Sequence, residues 1–173
     1  MRAELNRKKF WNPWCVPPAA TVLYLGEVTV ALTLAAALLA ISNFRFSVTI
    51  LLFSCGVVAW TLAEYITHRF VLHSIATTEH GNHHAHPQEP IDRIFWQIWL
   101  AFAVVCLTTG GAVLAGVLVA YAWYLSVHHC AHHNPAILPA ALLKHHLDHH
   151  RFARCNYGVT TKIWDRIFAT MLR

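Results

Sequence analysis

Two apolar runs, from about Ala19 to Ile41 and from about Phe46 to Ile66, each approach the roughly 20 residues that a helix needs to cross a bilayer. The link between them, Ser42-Asn43-Phe44-Arg45, is short, so they read as an antiparallel hairpin. Two further runs, about Ile94–Thr108 and Ala112–Val127, flank Thr109-Gly110-Gly111. These are a little short, and the hairpin they form is expected to tilt or to penetrate less deeply. Only Glu27 is ionisable deep within the apolar segments. At 57% hydrophobic, 12% charged and a mean hydropathy of +0.44, the 173-residue chain is too apolar for an ordinary soluble domain and short enough to be a single one.

The basic residues set an orientation. Arg2, Arg7, Lys8 and Lys9 precede the first run, and Lys144, Arg151, Arg154, Lys162, Arg166 and Arg173 follow the last, while the two hairpin turns hold only Arg45. With four spans, this asymmetry puts both termini and the segment 67–93 on the cytosolic side. The formal charge of +5 and pI near 9.1 do not indicate nucleic acid, because the cations sit at the ends of apolar runs without an aromatic–basic stripe. Lipid headgroups are the better partner. Five cysteines, an odd number without a CxxC pair, fit a reducing compartment rather than a disulfide scaffold. Phe10-Trp11-Asn12-Pro13-Trp14 reads as an interfacial anchor, not a cleavage region. The expected architecture is all-α: one membrane domain, with an anchor over 1–18, a first hairpin over 19–66 and cap residues over 67–93. A second hairpin over 94–127 and further cap residues over 128–173 complete it. The tail from Thr160 to Phe168 reads as an amphipathic helix with Ile163, Ile167, Phe168 and Met171 on one face.

All 14 histidines lie between His68 and His150, on the expected cytosolic side. They are patterned as His68-x4-His73, His80-x2-His83-His84, His128-x3-His132 and His146-x2-His149-His150. The i, i+3, i+4 sets put three imidazoles on one helical face, and the i, i+4 pair puts two. His68 and His73 are five apart, about 140° around an ideal helix, so they either flank a site or require local unwinding. His129/His133 is also an i, i+4 pair, so helix geometry alone does not choose it or His128/His132. Ten imidazoles are too many for one ion and suit two, with four or five nitrogens each, from metals such as Fe, Zn, Cu or Ni. A metal-transporter loop would be unpatterned, with polar ligands inside the spans; a haem site would put its histidines within the bilayer. Glu64, Glu79, Asp92, Asp148 and Asp165 are candidates for orienting the ligands. Tyr121, Trp123 and Tyr124 could line a path for an apolar chain or sit at the interface, and the interfacial reading is preferred.

In order, these clusters resemble the fatty acid hydroxylase/sterol desaturase superfamily of membrane non-haem di-iron oxidases. The likeness includes His80-Gly81-Asn82-His83-His84 followed by Pro90-Ile91-Asp92, then Lys144-His145-His146-Leu147-Asp148-His149-His150. It ends with Tyr157-Gly158-Val159-Thr160-Thr161 leading into Trp164-Asp165-Arg166-Ile167-Phe168. The resemblance implies four membrane helices under a cytosolic helical cap and two iron ions, with zinc a competitor in recombinant material. The ligands it implies are His68, His73, His80, His83, His84, His128, His132, His146, His149 and His150; His86, His129, His133 and His145 are left over. It further implies O2 as cosubstrate, a membrane lipid as substrate and hydroxylation of an acyl chain, since the tail most resembles fatty acid 2-hydroxylases. Electrons would come from a separate cytochrome b5-like or ferredoxin-like protein. The short segment between His73 and His80 is similar to compact bacterial members and to carotenoid hydroxylases, and a bacterial inner membrane is expected before the endoplasmic reticulum. Carotenoid or sterol-type hydroxylation or desaturation by the same site is the alternative within this class, and a His-rich membrane metal-handling protein the alternative outside it.

Overall fold

The computed structural model describes residues 18–75, 77–88 and 96–172, and among them every regular element is helical. In chain order these are α1 (Pro18–Ala40), α2 (Phe46–Ile66) with a π-helical extension (Thr67–Leu72), and α3 (Thr77–Ala85). Then come α4 (Trp96–Thr109), α5 (Gly111–His133), a 3-10 turn (Pro135–Ile137), α6 (Ala140–Arg151) and α7 (Ile163–Ile167). The expected anchor around Phe10–Trp14, and Asp92 with its Pro90-Ile91 neighbours, lie outside the described residues.

Among the described residues, two helices are long and apolar enough to cross a membrane, α2 with its extension over Phe46–Leu72 and α5 over Gly111–His133. Tyr24–Ala40 of α1 and the whole of α4 are apolar but shorter. α5 is the centre: α1, α2 and α4 all pack against it. Ala31 and Ala35 of α1, Trp60 of α2 and Phe102 of α4 meet Leu114, Ala115, Val117, Leu118 and Tyr121 of α5 in one core. The outer helices turn large apolar side chains away from that core; Leu107 is 87% exposed and Val58 58%. Contiguous apolar surface of this kind is costly in water and ordinary in lipid, which agrees with membrane association.

The α2–α5 crossing depends on two glycines. A Cβ on Gly56 would stand 2.0 Å from the Val113 carbonyl oxygen, and one on Gly116 would stand 2.0 Å from that of Phe53. The two backbones are therefore in direct contact, which is how helices associate where lipid removes the hydrophobic drive. Glu27 supplies a polar pin in the same region, accepting hydrogen bonds from Trp99 Nε1 of α4 at 3.3 Å and from the Tyr121 hydroxyl of α5. A carboxyl in apolar surroundings needs such partners. Tyr121, expected at the interface, is thus a core residue.

The tail corrects one expectation. α7 spans only Ile163–Ile167, not the longer helix read from Thr160 to Phe168. Thr161 Oγ1 accepts from the Ile163 amide at 3.3 Å, and Phe168 leaves the helix to stack on Tyr65 at 5.2 Å. Long-range hydrogen bonds hold the segment down and cut the helix short. Thr170 donates its amide to Asp165 O and accepts from the Asn156 amide.

Candidate metal centre

The i, i+5 spacing of the first pair is accommodated by unwinding. Where α2 becomes π-helical, the His73 amide donates to the His68 carbonyl at 3.2 Å. Each π turn takes one residue more than an α turn, so residues five apart come onto one face. The two rings then lie 5.2 Å apart between centroids.

The remaining elements bring their imidazoles to the same place and divide them between two sets. In the first, His68 and His73 meet His80 and His84 of α3 and His149 of α6; in the second, His83 of α3 meets His128 and His132 of α5 and His150 of α6. Within each set, one ring nitrogen per residue lies within 4.8 Å of the others. His146 adjoins the second set, with its Nε2 2.9 Å from that of His132 and its ring 4.7 Å from that of His150. α3 and α6 each contribute to both sets, so the sets adjoin. A cavity of about 70 Å³ lies against them, walled by His68, His80, His83, His128, His146 and His150 with Leu72, Glu79, Tyr124 and Val159. Tyr124, read from the sequence as an interfacial aromatic, therefore faces the site, and its ring stacks on His128 at 5.8 Å.

The donor set fits transition-metal ions better than it fits mutual hydrogen bonding. His80 Nε2 stands 3.0 Å from Nε2 of His68, of His73 and of His84. A neutral imidazole has one N–H and one lone pair, so this one nitrogen has no way to bond three others. An ion about 2.1 Å from each nitrogen would set adjacent ligands about 3.0 Å apart, which is the spacing seen. His150 carries the same message in the second set: both of its ring nitrogens are buried without a hydrogen-bond partner among the described residues, a costly condition unless something binds them.

Two of the rings have their tautomer fixed from behind. His68 Nδ1 lies 2.6 Å from the Tyr157 carbonyl and His149 Nδ1 lies 2.7 Å from that of Cys155. A carbonyl only accepts, so each Nδ1 carries the proton and each Nε2 presents a lone pair inward. The loop that supplies these carbonyls is held by two buried carboxylates. Glu64, one turn before His68, accepts from the Val159 amide at 2.7 Å, the Thr160 amide at 3.0 Å and the Thr160 hydroxyl at 2.6 Å. Asp165 accepts from the amides of Tyr157 and Gly158, both at 2.8 Å, from the Thr170 hydroxyl at 2.7 Å and from His145 Nε2 at 2.9 Å. Gly158 is required here, since a Cβ would stand 2.1 Å from Thr161 O. The Tyr-Gly-Val-Thr-Thr segment is thus the strap that aims two imidazoles.

Burial and neighbouring imidazoles depress the basicity of the cluster. Desolvation, reinforced by His84, takes His73 and His83 down to about 4. Desolvation and the surrounding rings take His80 and His150 to about 2. Desolvation takes His149 to about 3, against the opposing hydrogen bond that its Nδ1 donates to Cys155 O. Neutral imidazoles at pH 7 are the form that binds metal. For Asp165, burial raises the carboxyl, but its four hydrogen bonds outweigh that and hold it below the ordinary range.

The sequence-derived carboxylates divide. Glu64 and Asp165 act on the strap rather than on a clustered imidazole; Glu79 stands in the cavity wall. Asp148 pairs with Lys144 at 2.5 Å instead of orienting a histidine. His129 and His133 belong to neither set: the ring of His129 lies flat on Tyr24 at 4.2 Å, and that of His133 lies 4.5 Å from it. His145 is the partner of Asp165. The orienting carbonyls of Cys155 and Tyr157 had no side-chain signal, since any residue carries them; only the loop's position just after the last histidine cluster hinted at them.

Comparison with known proteins adds an independent line. A family model described as fatty acid hydroxylase matches residues 53–170. A dihydroceramide fatty acyl 2-hydroxylase of Arabidopsis thaliana is 32% identical, with 97% of this chain and 76% of that protein covered. Fatty acid 2-hydroxylase of Mus musculus is 30% identical over 73% of this chain and 41% of its own length. The solved structure of full-length scs7p, in which only the hydroxylase domain is visible, matches with a TM-score of 0.65 at 30% identity, covering 93% of this chain and 67% of that one.

Proposed function

The chain belongs to the fatty acid hydroxylase family, and from that premise we propose that it is an O2-dependent di-iron hydroxylase acting on an acyl chain of a membrane lipid. The observation that carries the reading is the convergence of imidazole nitrogens 3.0 Å apart around His80, with the second set beside it. His68, His73, His80, His84 and His149 would hold one ion; His83, His128, His132, His146 and His150 would hold the other. When bound, the two ions would supply O2 reduction and C–H oxidation, using two electrons from a cytochrome b5-like or ferredoxin-like donor. One oxygen atom would enter the product and the other, with two protons from solvent, would leave as water.

The protein's own residues position and exclude. The strap carbonyls keep the Nε2 lone pairs of His68 and His149 aimed inward, and Glu64 and Asp165 keep the strap in place. Leu72, Tyr124 and Val159 line the cavity with apolar surface against water. At about 70 Å³ the cavity is far smaller than a site that swallows a whole ligand. Only the reacting part of a chain is taken in, and the rest lies along the apolar helices. The acyl substrates named for the relatives favour this reading over carotenoid or sterol substrates. We further propose four spans, α1, α2, α4 and α5, within one membrane domain, and a cytosolic cap of α3, α6 and α7. The Lys/Arg asymmetry and the shared location of the α2 and α5 C-terminal ends at the cluster support this topology.

The test is to purify the protein in detergent, reconstitute it anaerobically with ferrous iron and supply a reductant, a lipid extract and isotopically labelled O2. Mass spectrometry should find hydroxylated acyl chains carrying the label. Iron content that never exceeds one equivalent per chain, or label entering from water, overturns the reading.

A further inference from the structure

Outside the two sets, α5 carries a second pair of imidazoles on a face of its own. His129 and His133 are one turn apart and rotated about 100° from His128 and His132. Their ring centroids are 4.5 Å apart with the planes at 32°. Both residues are partly buried, and their rings hydrogen-bond to no described residue. His129 is also held in place: its ring stacks on Tyr24 at 4.2 Å with an interplanar angle of 1°. Tyr24 in turn donates its hydroxyl to Ser126 Oγ at 3.1 Å, and Ser126 donates to the Ala122 carbonyl at 2.7 Å. One arm of the pair is thus held in place by stacking, and the other is the last residue of the helix.

Two imidazoles at i, i+4 on a helix bite a single ion from one side, the arrangement that supplies two of the ligands in helical zinc sites. We propose that His129 and His133 form a third divalent-metal site, open to solvent at the edge of the histidine cluster, that takes zinc, nickel or copper. The donor type sets the ion class, because neutral nitrogen ligands favour late first-row metals. With two protein nitrogens and water in the remaining positions, the site binds more weakly and exchanges faster than one built from four or five converging rings. Its position also bears on handling: His128 and His132, proposed to hold an iron, each precede one member of the pair, His129 and His133, by one residue.

The experiment is a zinc titration of the full-length protein in detergent after iron reconstitution, with bound zinc counted by equilibrium dialysis. Wild type should take up one equivalent more than the His129→Ala/His133→Ala double variant. Each single alanine variant should weaken that equivalent at least tenfold. Tyr24→Ala, which keeps both imidazoles but frees the His129 ring, should weaken it less. Thermal melting identifies any variant that fails to fold, and His133→Gln then replaces His133→Ala. The proposal is overturned if wild type and the double variant bind the same amount of zinc. It is also overturned if the additional equivalent survives in both single variants. Because only the difference between wild type and variants is read, the result is independent of whether the ten-histidine cluster holds two irons.

Discussion

Replacing Asp165 with asparagine would test whether the strap after α6 aims the first histidine set. Asp165 is fully buried, and its two oxygens take four hydrogen bonds, two of them from the backbone amides of Tyr157 and Gly158. An asparagine presents one oxygen and one NH2. Turned toward His145, whose ring can change tautomer and accept, the NH2 leaves the Gly158 amide facing a donor; turned the other way, it abandons the Tyr157 amide. Either orientation strands one buried backbone N–H and removes the charge assistance from the others, a cost of roughly 3–5 kcal/mol. The strap then relaxes, and the carbonyls of Cys155 and Tyr157 no longer fix His149 and His68. Loss of such orienting contacts costs about 10- to 100-fold in metal affinity. Elemental analysis after dialysis against graded chelator should show one ion leaving early and the other retained. Thr170→Val is the control: it removes the 2.7 Å bond to Asp165 and the 2.9 Å bond to Tyr65 without touching the strap, so it should lower the melting temperature yet keep both ions. If Asp165→Asn holds both ions as wild type does, or releases both together, the strap does not aim the first set.

Other outcomes follow from the same geometry. His73→Ala should empty the first set and His128→Ala or His132→Ala the second, each leaving about one ion by elemental analysis; loss of both from every variant would mean the sets are not separable. Gly116→Ala drives a Cβ to 2.0 Å from Phe53 O and should destabilise by about 3 kcal/mol or more, whereas Gly26→Ala, with nothing within 4 Å, should melt like wild type. In metal-free protein, the clustered histidines titrate below their ordinary 6.5, to about 4 for His73 and about 3 for His149. The unfolded chain therefore binds more protons below pH 6.5, so stability is full above that pH and is lost as pH falls. A melting temperature flat from pH 7.5 to about pH 5 would contradict this. Single cysteines placed at Ser42 and Gly110 in a cysteine-free background should label from outside the cell and one at Arg151 should not; the reverse pattern would refute the proposed topology.

Much of this was legible in the residues. Hydropathy put helices over 19–41 and 46–66, and the structure has them at Pro18–Ala40 and Phe46–Ile66. The His spacings put three imidazoles on one face of α3 and three on one face of α6. What could not be read was anything set by tertiary contact. Side-chain spacing left His68 and His73 either flanking a site or unwound, and only the backbone decided for the π turn. The helix pattern of α3 showed three imidazoles together but not that His83 parts company with His80 and His84. Asp148 looked as suitable an orienter as Asp165, since both sit beside clustered histidines in sequence. Exposure separates them: Asp148 reaches Lys144 at the surface, while Asp165 is enclosed by a strap that returns from His149.

The division of α6 between both sets has a consequence for how the molecule is made. Neither set is complete until His149 and His150 arrive, and these follow every apolar helix in the order of synthesis. Until then the nascent chain offers only the open half-chelates of the π turn, α3 and α5, from which ions would exchange readily. With the ions held as proposed, durable metal binding would wait for α6 to dock, and a chain stalled before it would leave the ribosome machinery without a lasting ion. Metal retention would then mark a finished molecule.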